Sequence, residues 1–352
     1  MLTGLLILAG SGVIGQDSTG SLSISGYAEL YYQYDFNKPA DNNRPDFVYS
    51  HNRHNEFNLN LGFVKAGYSA DRVRANLAIG AGTYMNANYA AEQGVLKNVY
   101  EANAGIKIGK KNLWLDAGIF PSHIGFESAV GKDCLTLTRS MAADNSPYYE
   151  AGAKLTYGSP DGKWSLTALA LNGWQRIKRV DGNSRMSWGT QVQYKPSSSV
   201  LLNYSTFSGT DKPDSARLNR VFHNLYGIFA LNDKWELTLG FDIGTEDKSV
   251  TGNGQNSWYS PVCILRYKIS DKWSMAARGE YYSDKNEVII STGTSHGFQT
   301  TGMSVNMDYF PVKNAVLRFG LCRLDSKDKI FEKTTGMSNT NLLLSTSLAI
   351  SF

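Results

Sequence analysis

The stretch Asn232-Asp233-Lys234-Trp235-Glu236-Leu237-Thr238-Leu239-Gly240-Phe241-Asp242-Ile243 decides the fold. A turn signal leads into Trp235, Leu237, Leu239, Phe241 and Ile243 on one parity, with Glu236, Thr238, Gly240 and Asp242 on the other. Alternation of this kind is the signature of a strand with one apolar face. Facing residues of an antiparallel hairpin share a side of the sheet, and across this turn Leu231 faces Trp235 while Phe229 faces Leu237. Around Asp271 the pairs Ile269 with Trp273, Tyr267 with Met275 and Leu265 with Ala277 are all apolar. The complementary pairs, Lys268 with Ser274 and Arg266 with Ala276, are mostly polar. Around Val312 the expected pairs are Tyr309 with Ala315 and Met307 with Leu317.

The same pattern extends to both ends of the chain. Between Ser21 and Phe36, one parity carries Leu22, Ile24, Ala28, Leu30, Tyr32 and Tyr34, and the other Ser23, Ser25, Glu29, Gln33 and Asp35. Tyr100, Ala102, Ala104, Ile106 and Ile108 alternate with Glu101, Asn103, Gly105 and Lys107. The last run places Leu342, Leu344, Leu348, Ile350 and Phe352 on one face. Strand two breaks the rule near Phe63-Val64, which predicts a bulge or a shifted boundary.

Seven short turns, at 69–72, 109–112, 159–163, 196–198, 232–234, 270–272 and 311–314, recur at intervals near 40 residues and divide the chain into sixteen strands. The opposite connections are longer, and the third, 120–147, is the longest. Short turns on one side, long loops on the other and strands of about ten residues match a transmembrane β-barrel. Trp164, Trp235 and Trp273 follow short turns, and Trp174, Trp188 and Trp258 lie near the opposite ends, as two aromatic girdles would require. A propeller also repeats at about 40 residues, but with four short strands per repeat rather than two long ones. The predicted fold is therefore all-β, a transmembrane antiparallel up-and-down barrel of about sixteen strands.

Composition agrees. The 352 residues include 20 Tyr and 34 Gly but only 19% charged residues, because half of each strand is written for lipid and half for water. A net charge of +4 is too mild for a nucleic-acid partner. After the start of the chain no apolar run approaches the roughly 18–20 residues of a membrane helix. Residues 1–15 read as a signal peptide, although no Lys or Arg precedes the apolar part, and 16–352 as the barrel. Strand one then begins about five residues after the expected cleavage, which leaves no place for an N-terminal plug and speaks against energy-coupled transport. Gly10-Ser11-Gly12-Val13-Ile14-Gly15 formally matches a dinucleotide motif, but that motif needs a helix after it and strand alternation follows instead. The ending Leu348-Ala349-Ile350-Ser351-Phe352 looks like the signal that bacterial outer-membrane proteins present to their assembly machinery.

A more specific likeness lies around the third loop. Ala117-Gly118-Ile119-Phe120-Pro121-Ser122-His123-Ile124-Gly125-Phe126-Glu127 is followed by Thr138-Arg139-Ser140 and by Ser146-Pro147-Tyr148-Tyr149-Glu150-Ala151-Gly152. This segment resembles the OmpL-like putative β-barrel porin family of Gram-negative bacteria, with a similar layout over residues 21–352. The resemblance implies an outer-membrane pore with no defined substrate.

The loop keeps Ile119, Phe120, Ile124, Phe126, Val130, Leu135 and Leu137 among its charges. A long loop rich in apolar residues packs on something, and the lumen is the nearest surface. Folded inward, it would narrow the pore and set His123, Glu127, Lys132, Asp133, Arg139 and Asp144 at the constriction, where charged rings govern passage. Parity places Arg266, Arg278 and Arg318 on the lumen wall, with Glu29, Glu101, Glu150 and Asp242 on the polar face of other strands. Opposed arcs would cross the eyelet with a transverse field. Wall-stabilising ion pairs are the plainer role for such charges.

Other chemistry has little support. Cys134, Cys263 and Cys322 form no paired motif, with Cys263 on the lipid parity and Cys322 on the lumen parity. His54 and Glu56 share a face, but scattered histidines of a surface loop explain them better than a metal site. His223 falls on the outer wall with Ser205 and Thr206 in the next strand, yet no motif fixes a nucleophile. The expected function is passive diffusion of ions or small polar solutes, without enzyme activity, cofactor or metal. The expected setting is the Gram-negative outer membrane, among lipid and lipopolysaccharide, with Phe352 read by the assembly machinery and a homotrimer open to such a barrel. The alternative is a non-conducting barrel that serves as an adhesin or as a subunit of a larger envelope assembly.

Overall fold

The protein is described from a computed structural model that covers residues 20–251 and 253–352. The expected signal peptide, 1–15, and the glycine motif within it lie outside the described residues. The first eight strands are β1 (Ser21–Asp35), β2 (Phe57–Ser69), β3 (Val73–Ala81), β4 (Val99–Lys107), β5 (Leu113–Pro121), β6 (Tyr149–Gly158), β7 (Trp164–Leu171) and β8 (Ser187–Ser197). The second eight are β9 (Val200–Gly209), β10 (Arg220–Ala230), β11 (Trp235–Asp247), β12 (Gln255–Lys268), β13 (Trp273–Asp284), β14 (Phe298–Val312), β15 (Ala315–Ser326) and β16 (Thr340–Ser351). Each pairs antiparallel with its sequence neighbours, and β1 pairs with β16, so the sheet is a closed barrel.

Closure uses the alternation directly. Leu22, Ile24 and Leu30 of β1 are outward and exposed, whereas Glu29, Gln33 and Asp35 are buried inside. In β16 Leu342, Leu344, Leu348 and Ile350 point out, and Asn341, Ser345 and Ser347 point in. The seam is tied inside by Gln33 Nε2 donating to Ser345 Oγ at 2.7 Å and by Asn341 Nδ2 reaching both oxygens of Asp35 at 2.8 Å. Phe352 completes it, with backbone bonds exchanged with Gly26 at 2.7 and 3.0 Å. Cys263 faces out and Cys322 faces in, as their parities require, and both are free thiols.

Most expected hairpin pairs are present, including Phe229 with Leu237, Tyr267 with Met275 and Arg266 with Ala276. One register needs correction. Tyr309 pairs with Leu317 and Met307 with Phe319, while Val312 meets Ala315, because an irregularity lies between Tyr309 and Val312. The offset is two residues, so every side chain keeps its face. The slip foreseen in β2 is a bulge at Asn60, where Glu29 faces Leu61 and Leu30 faces Leu59. A second irregularity lies opposite Ala78 and Ile79, which face Glu101 and Val99. Tyr100 therefore leaves its expected place on the outer parity and stacks at 4.8 Å on Phe63, which lies 5.7 Å from buried Tyr27.

The girdle on the short-turn side is built from aromatic pairs: Trp164 stacked on Tyr194 at 4.2 Å, with Trp235 against Tyr267 and Trp273 against Tyr309 tilted, each at 4.6 Å. On the loop side only Trp188 of the three expected tryptophans is exposed. Trp258 is buried, and Trp174 packs on Phe207 and Phe222 at 4.9 Å. Both belong to an apolar cluster that fills the loop end of the barrel and also takes in Phe47, Ile124, Met141 and Phe331 from three different loops. These two girdle assignments are thus corrected. A ring near a strand end can turn inward whenever the loops supply apolar surface there.

A charge on the outer wall of a barrel costs about 2–4 kcal/mol at mid-membrane. Leu321 is central in β15 and exposed. Replacing Leu321→Arg should lower unfolding stability in lipid vesicles by that amount, read from urea titration. An unchanged midpoint would mean that this face does not contact lipid.

Candidate functional site

The third long connection, residues 122–148, runs inside the barrel. It leaves β5 at Pro121, and its first contacts are with the near wall. His123 Nδ1 lies 2.9 Å from Glu150 Oε2, and Nε2 donates to the Thr206 carbonyl at 2.8 Å. Both ring nitrogens face acceptors, which suits an imidazolium. Burial disfavours that charge, but the Glu150 carboxylate outweighs it and raises the His123 pKa. The His123 carbonyl in turn accepts from Gln191 and Ser205, each at 2.8 Å. Gly125 N–H then bonds Asn224 at 3.1 Å, and Phe126 lies over Gly240, where any Cβ would collide with its ring.

The loop then crosses to the opposite wall. Arg318 on β15 is bidentate to Asp308 at 2.9 Å on each oxygen, and it donates to the carbonyls of Gly131, Thr136, Cys134 and Leu135 at 2.8–3.3 Å. Arg278 on β13 pairs with Glu280 at 2.9 Å and donates to Thr136 Oγ1, the Thr138 carbonyl and Thr138 Oγ1. Loop backbone has no ladder partner, and buried carbonyls without donors are costly. Planar five-donor guanidinium groups answer that need well.

Of the six expected constriction residues, His123 is held at the wall, and Glu127 and Arg139 are turned into the loop itself. Glu127 accepts from Ser140 N at 3.0 Å and from the Ser140 hydroxyl, and it sits 3.9 Å from Arg278. Arg139 donates to the carbonyls of Ser128, Leu137 and Ala129 at 2.8–3.3 Å. Asp144 ends the short helix Met141–Asp144 and is buried, with Oδ1 unpartnered. Burial pushes its carboxyl up to about 7, against the pull of Arg139 and with the push of Glu127. Lys132 and Asp133 are the more open pair, 3.6 Å apart. Burial also raises the Cys134 thiol to about 11, outside the reactive range.

The wall charges are likewise paired. Glu29 bonds His51 Nε2 at 3.1 Å and Asn60 at 3.0 Å, Glu101 bonds Lys65 at 2.5 Å, and Arg266 bonds Glu236 at 2.6 Å. Asp242 accepts from Asn224 at 2.6 Å. The basic arc exists, yet Arg278 and Arg318 hold backbone carbonyls of the loop and do not oppose its carboxylates across open space. The reading of the first loop as surface is corrected as well. His51 and His54 are buried, and Asn145 of the third loop donates to the Phe47 carbonyl of the first at 3.1 Å. His54 Nδ1 accepts from Asp35 N–H at 2.8 Å and Glu56 pairs with Arg53, so the two do not converge on a metal. Ser205 points inward, whereas His223 bonds Tyr204 on the outer face, so they cannot act together.

Three cavities stand out. One of about 420 Å³ lies between the first, seventh and eighth loops, and includes Asp41, Arg44, Ser291 and Glu332. Two lie nearer the short turns, of about 410 and 380 Å³, and share Pro121, Ser122, Gly125 and Tyr226 on their walls. Sequence reasoning missed Lys154 and Arg74, which line the last of these, although both stand on the polar parity of their strands.

The sequence profile of the family described as "Putative beta-barrel porin-2, OmpL-like" matches residues 21–352. No curated protein matches the chain. Among solved structures it is similar to an anion-selective porin from Comamonas acidovorans, at 9% identity and TM-score 0.64, over 95% of this chain and 100% of that one. The trimer form of OmpT, an outer membrane protein of Vibrio cholerae, matches at 10% identity and TM-score 0.62, over 95% and 99%. The outer membrane channel DcaP of Acinetobacter baumannii matches at 12% identity and TM-score 0.60, over 95% and 97%. At these identities the likeness is one of fold.

Two predictions follow from the anchoring. Replacing Arg318→Met leaves Asp308 buried without its partner, at a cost of about 3–5 kcal/mol. Limited proteolysis of the folded variant should then cut between residues 131 and 138, whereas the native chain should resist there. Equal resistance would deny Arg318 its anchoring role. Because the Asp144 carboxyl is raised in the docked loop, docking binds a proton. It should be strongest at acid pH and weaken as pH rises from about 4 to about 7. The same digestion should show that dependence, and Asp144→Asn should flatten it.

Proposed function

Since the chain belongs to the putative beta-barrel porin-2, OmpL-like family, a family of the Gram-negative outer membrane, we propose that it is a porin-like channel for ions or small polar solutes whose third loop sets the width of the lumen. The observation that carries the reading is the crossing of that loop from the His123–Glu150 contact on one wall to Arg278 and Arg318 on the other. A loop bound at both walls divides the lumen and leaves a solute only the space beside it. Passive diffusion needs nothing more than a hydrated path and weak sites along it. Residues Lys132 and Asp133 are the loop charges best placed to meet that path, since Glu127 and Arg139 are engaged within the loop, His123 is held at the wall and Asp144 is buried. No reacting group takes part, and the reading is that of a channel without catalysis.

The second reading is a non-conducting subunit of an envelope assembly. It draws on the apolar packing of the loop ends, where Phe47 meets Phe298 at 4.7 Å and Phe331 at 6.3 Å. Rigid aromatic loops suit a fixed partner as well as a pore mouth. A homotrimer, as in the OmpT form to which the chain is similar, is compatible with either. Lipopolysaccharide around the barrel and recognition of Phe352 by the assembly machinery complete the proposed setting.

Recording from the purified barrel in a planar bilayer decides between these readings. Wild-type protein should give discrete conductance steps, and deletion of residues 129–136 should raise the step size several-fold. A folded barrel without current moves the assignment to the assembly subunit. An unchanged step after the deletion removes the loop from the narrowest point.

A further inference from the structure

On the short-turn half of the lumen, one transverse row of side chains runs across neighbouring strands. Arg74 on β3 faces Gly105 on β4, which faces Asp116 on β5, which faces Lys154 on β6. Gly105 carries no side chain, and this lets Arg74 reach across to Asp116, whose oxygen would collide with any Cβ there. The pair is bidentate, 2.6 Å on each oxygen, and Arg74 also covers the Trp114 ring at 4.3 Å. Both oxygens of Asp116 are thereby engaged on the side away from Lys154. Glu150, four residues before Lys154 on the same face, is fully buried and accepts from His123. Lys154 is left without an ion pair or hydrogen bond among the described residues, and its ammonium rests 4.5 Å from the Phe120 ring centroid.

Lys154 and Arg74 line the 380 Å³ cavity together with His123, Gln191, Gln193 and Thr167. No carboxylate is on its wall among the described residues. With Arg74 balanced by Asp116 and His123 by Glu150, the net charge of the chamber is that of Lys154. The remaining groups are hydroxyl and amide donors. A positive half-buried centre with neutral donors around it is complementary to an anion.

The adjoining 410 Å³ cavity has a different character. It shares Tyr226 and Gly125 with the first and is lined by Phe126, Leu201, Ile228 and Tyr100, and its one carboxylate among the described residues, Glu127, is held by Ser140 and lies near Arg278. Tyr226 stands at the junction, with its ring near Phe126 at 5.7 Å and its hydroxyl accepting from Gln193 at 3.2 Å. One end of this double chamber suits a charge and the other an apolar body.

We propose that the double chamber is a binding site for small organic carboxylates with an apolar or aromatic body, the carboxylate lying at Lys154 and the body against Tyr226, Leu201 and Ile228. The assignment rests on the channel reading and adds the substrate class to it. It also places the ion preference of the pore on the wall below the third loop and not on the charges of that loop.

Benzoate and acetate serve as probes, with the full-length barrel in detergent and folding checked by heat-modifiable mobility. Calorimetry should show benzoate bound by the wild type more tightly than acetate. Lys154→Gln should weaken benzoate about tenfold, the scale of one charge-assisted contact, and Lys154→Arg should restore most of the loss. Ile228→Ser should weaken benzoate several-fold and leave acetate unchanged. Wild-type affinity for benzoate in Lys154→Gln, or equal binding of acetate and benzoate by the wild type, overturns the proposal. In the bilayer, millimolar benzoate should reduce the wild-type current and spare that of Lys154→Gln. A barrel that binds benzoate through Lys154 yet carries no current refutes the channel reading and leaves the site standing. A barrel that conducts but binds no benzoate refutes the site alone.

Discussion

A backbone that crosses lipid must pair every N–H and C=O within itself, and for strands this means a closed ring. The contact between β1 and β16 is therefore the condition for everything else, since without it both edges would face hydrocarbon. The sequence serves that contact at three levels. Alternation aims Leu348 and Ile350 outward, the inward Gln33–Ser345 and Asp35–Asn341 bonds fasten the seam, and Phe352 extends the ladder to its last residue. Closure at sixteen strands then creates an interior too wide to be filled by wall side chains alone.

That excess volume explains the inserted loop. A segment placed in the lumen loses water around its carbonyls and cannot recover it from a ladder. Arg318 alone supplies donors to four such carbonyls, and Arg278 serves the next stretch. Each guanidinium is itself neutralised by a carboxylate on its own or the neighbouring strand, Glu280 or Asp308. The wall arginines are thus positioned by ion pairs and used for their geometry. A lysine would offer three donors from one point and could not span carbonyls so far apart in sequence.

The sequence carried face and count well, because parity survives most local errors. The register near Val312 slipped by two residues without moving a side chain to the wrong face. Where a bulge intervened, parity failed, and Tyr100 turned inward. Partners were less legible. Glu127 and Arg139 look like eyelet charges in a list of residues, but whether a charge meets water or a neighbouring carbonyl depends on the path of the loop. Trp258, His51 and Arg44 were misplaced or missed for the same reason, since the first loop also turns inward. Lys154 left a readable signal. It lies on the polar parity opposite Asp116, and only the competition from Arg74, two strands away, makes it uncompensated.

That competition has a consequence for where a channel of this kind discriminates. Charges that hold a loop in place are satisfied at short range, so their field at any distance is that of a dipole. A single uncompensated ammonium acts as a monopole, and in a partly desolvated chamber its potential is several times stronger than in bulk water. At physiological salt screening extends over about 8 Å, so the field is confined to the chamber that Lys154 lines. A solute that has passed the loop thus meets one positive centre with an apolar surface beside it. Strong capture would arrest flow, whereas one charge and one small apolar patch bind weakly enough to release. On the proposed reading the loop limits size and Lys154 on the wall sorts by charge, so the two tasks can be altered separately.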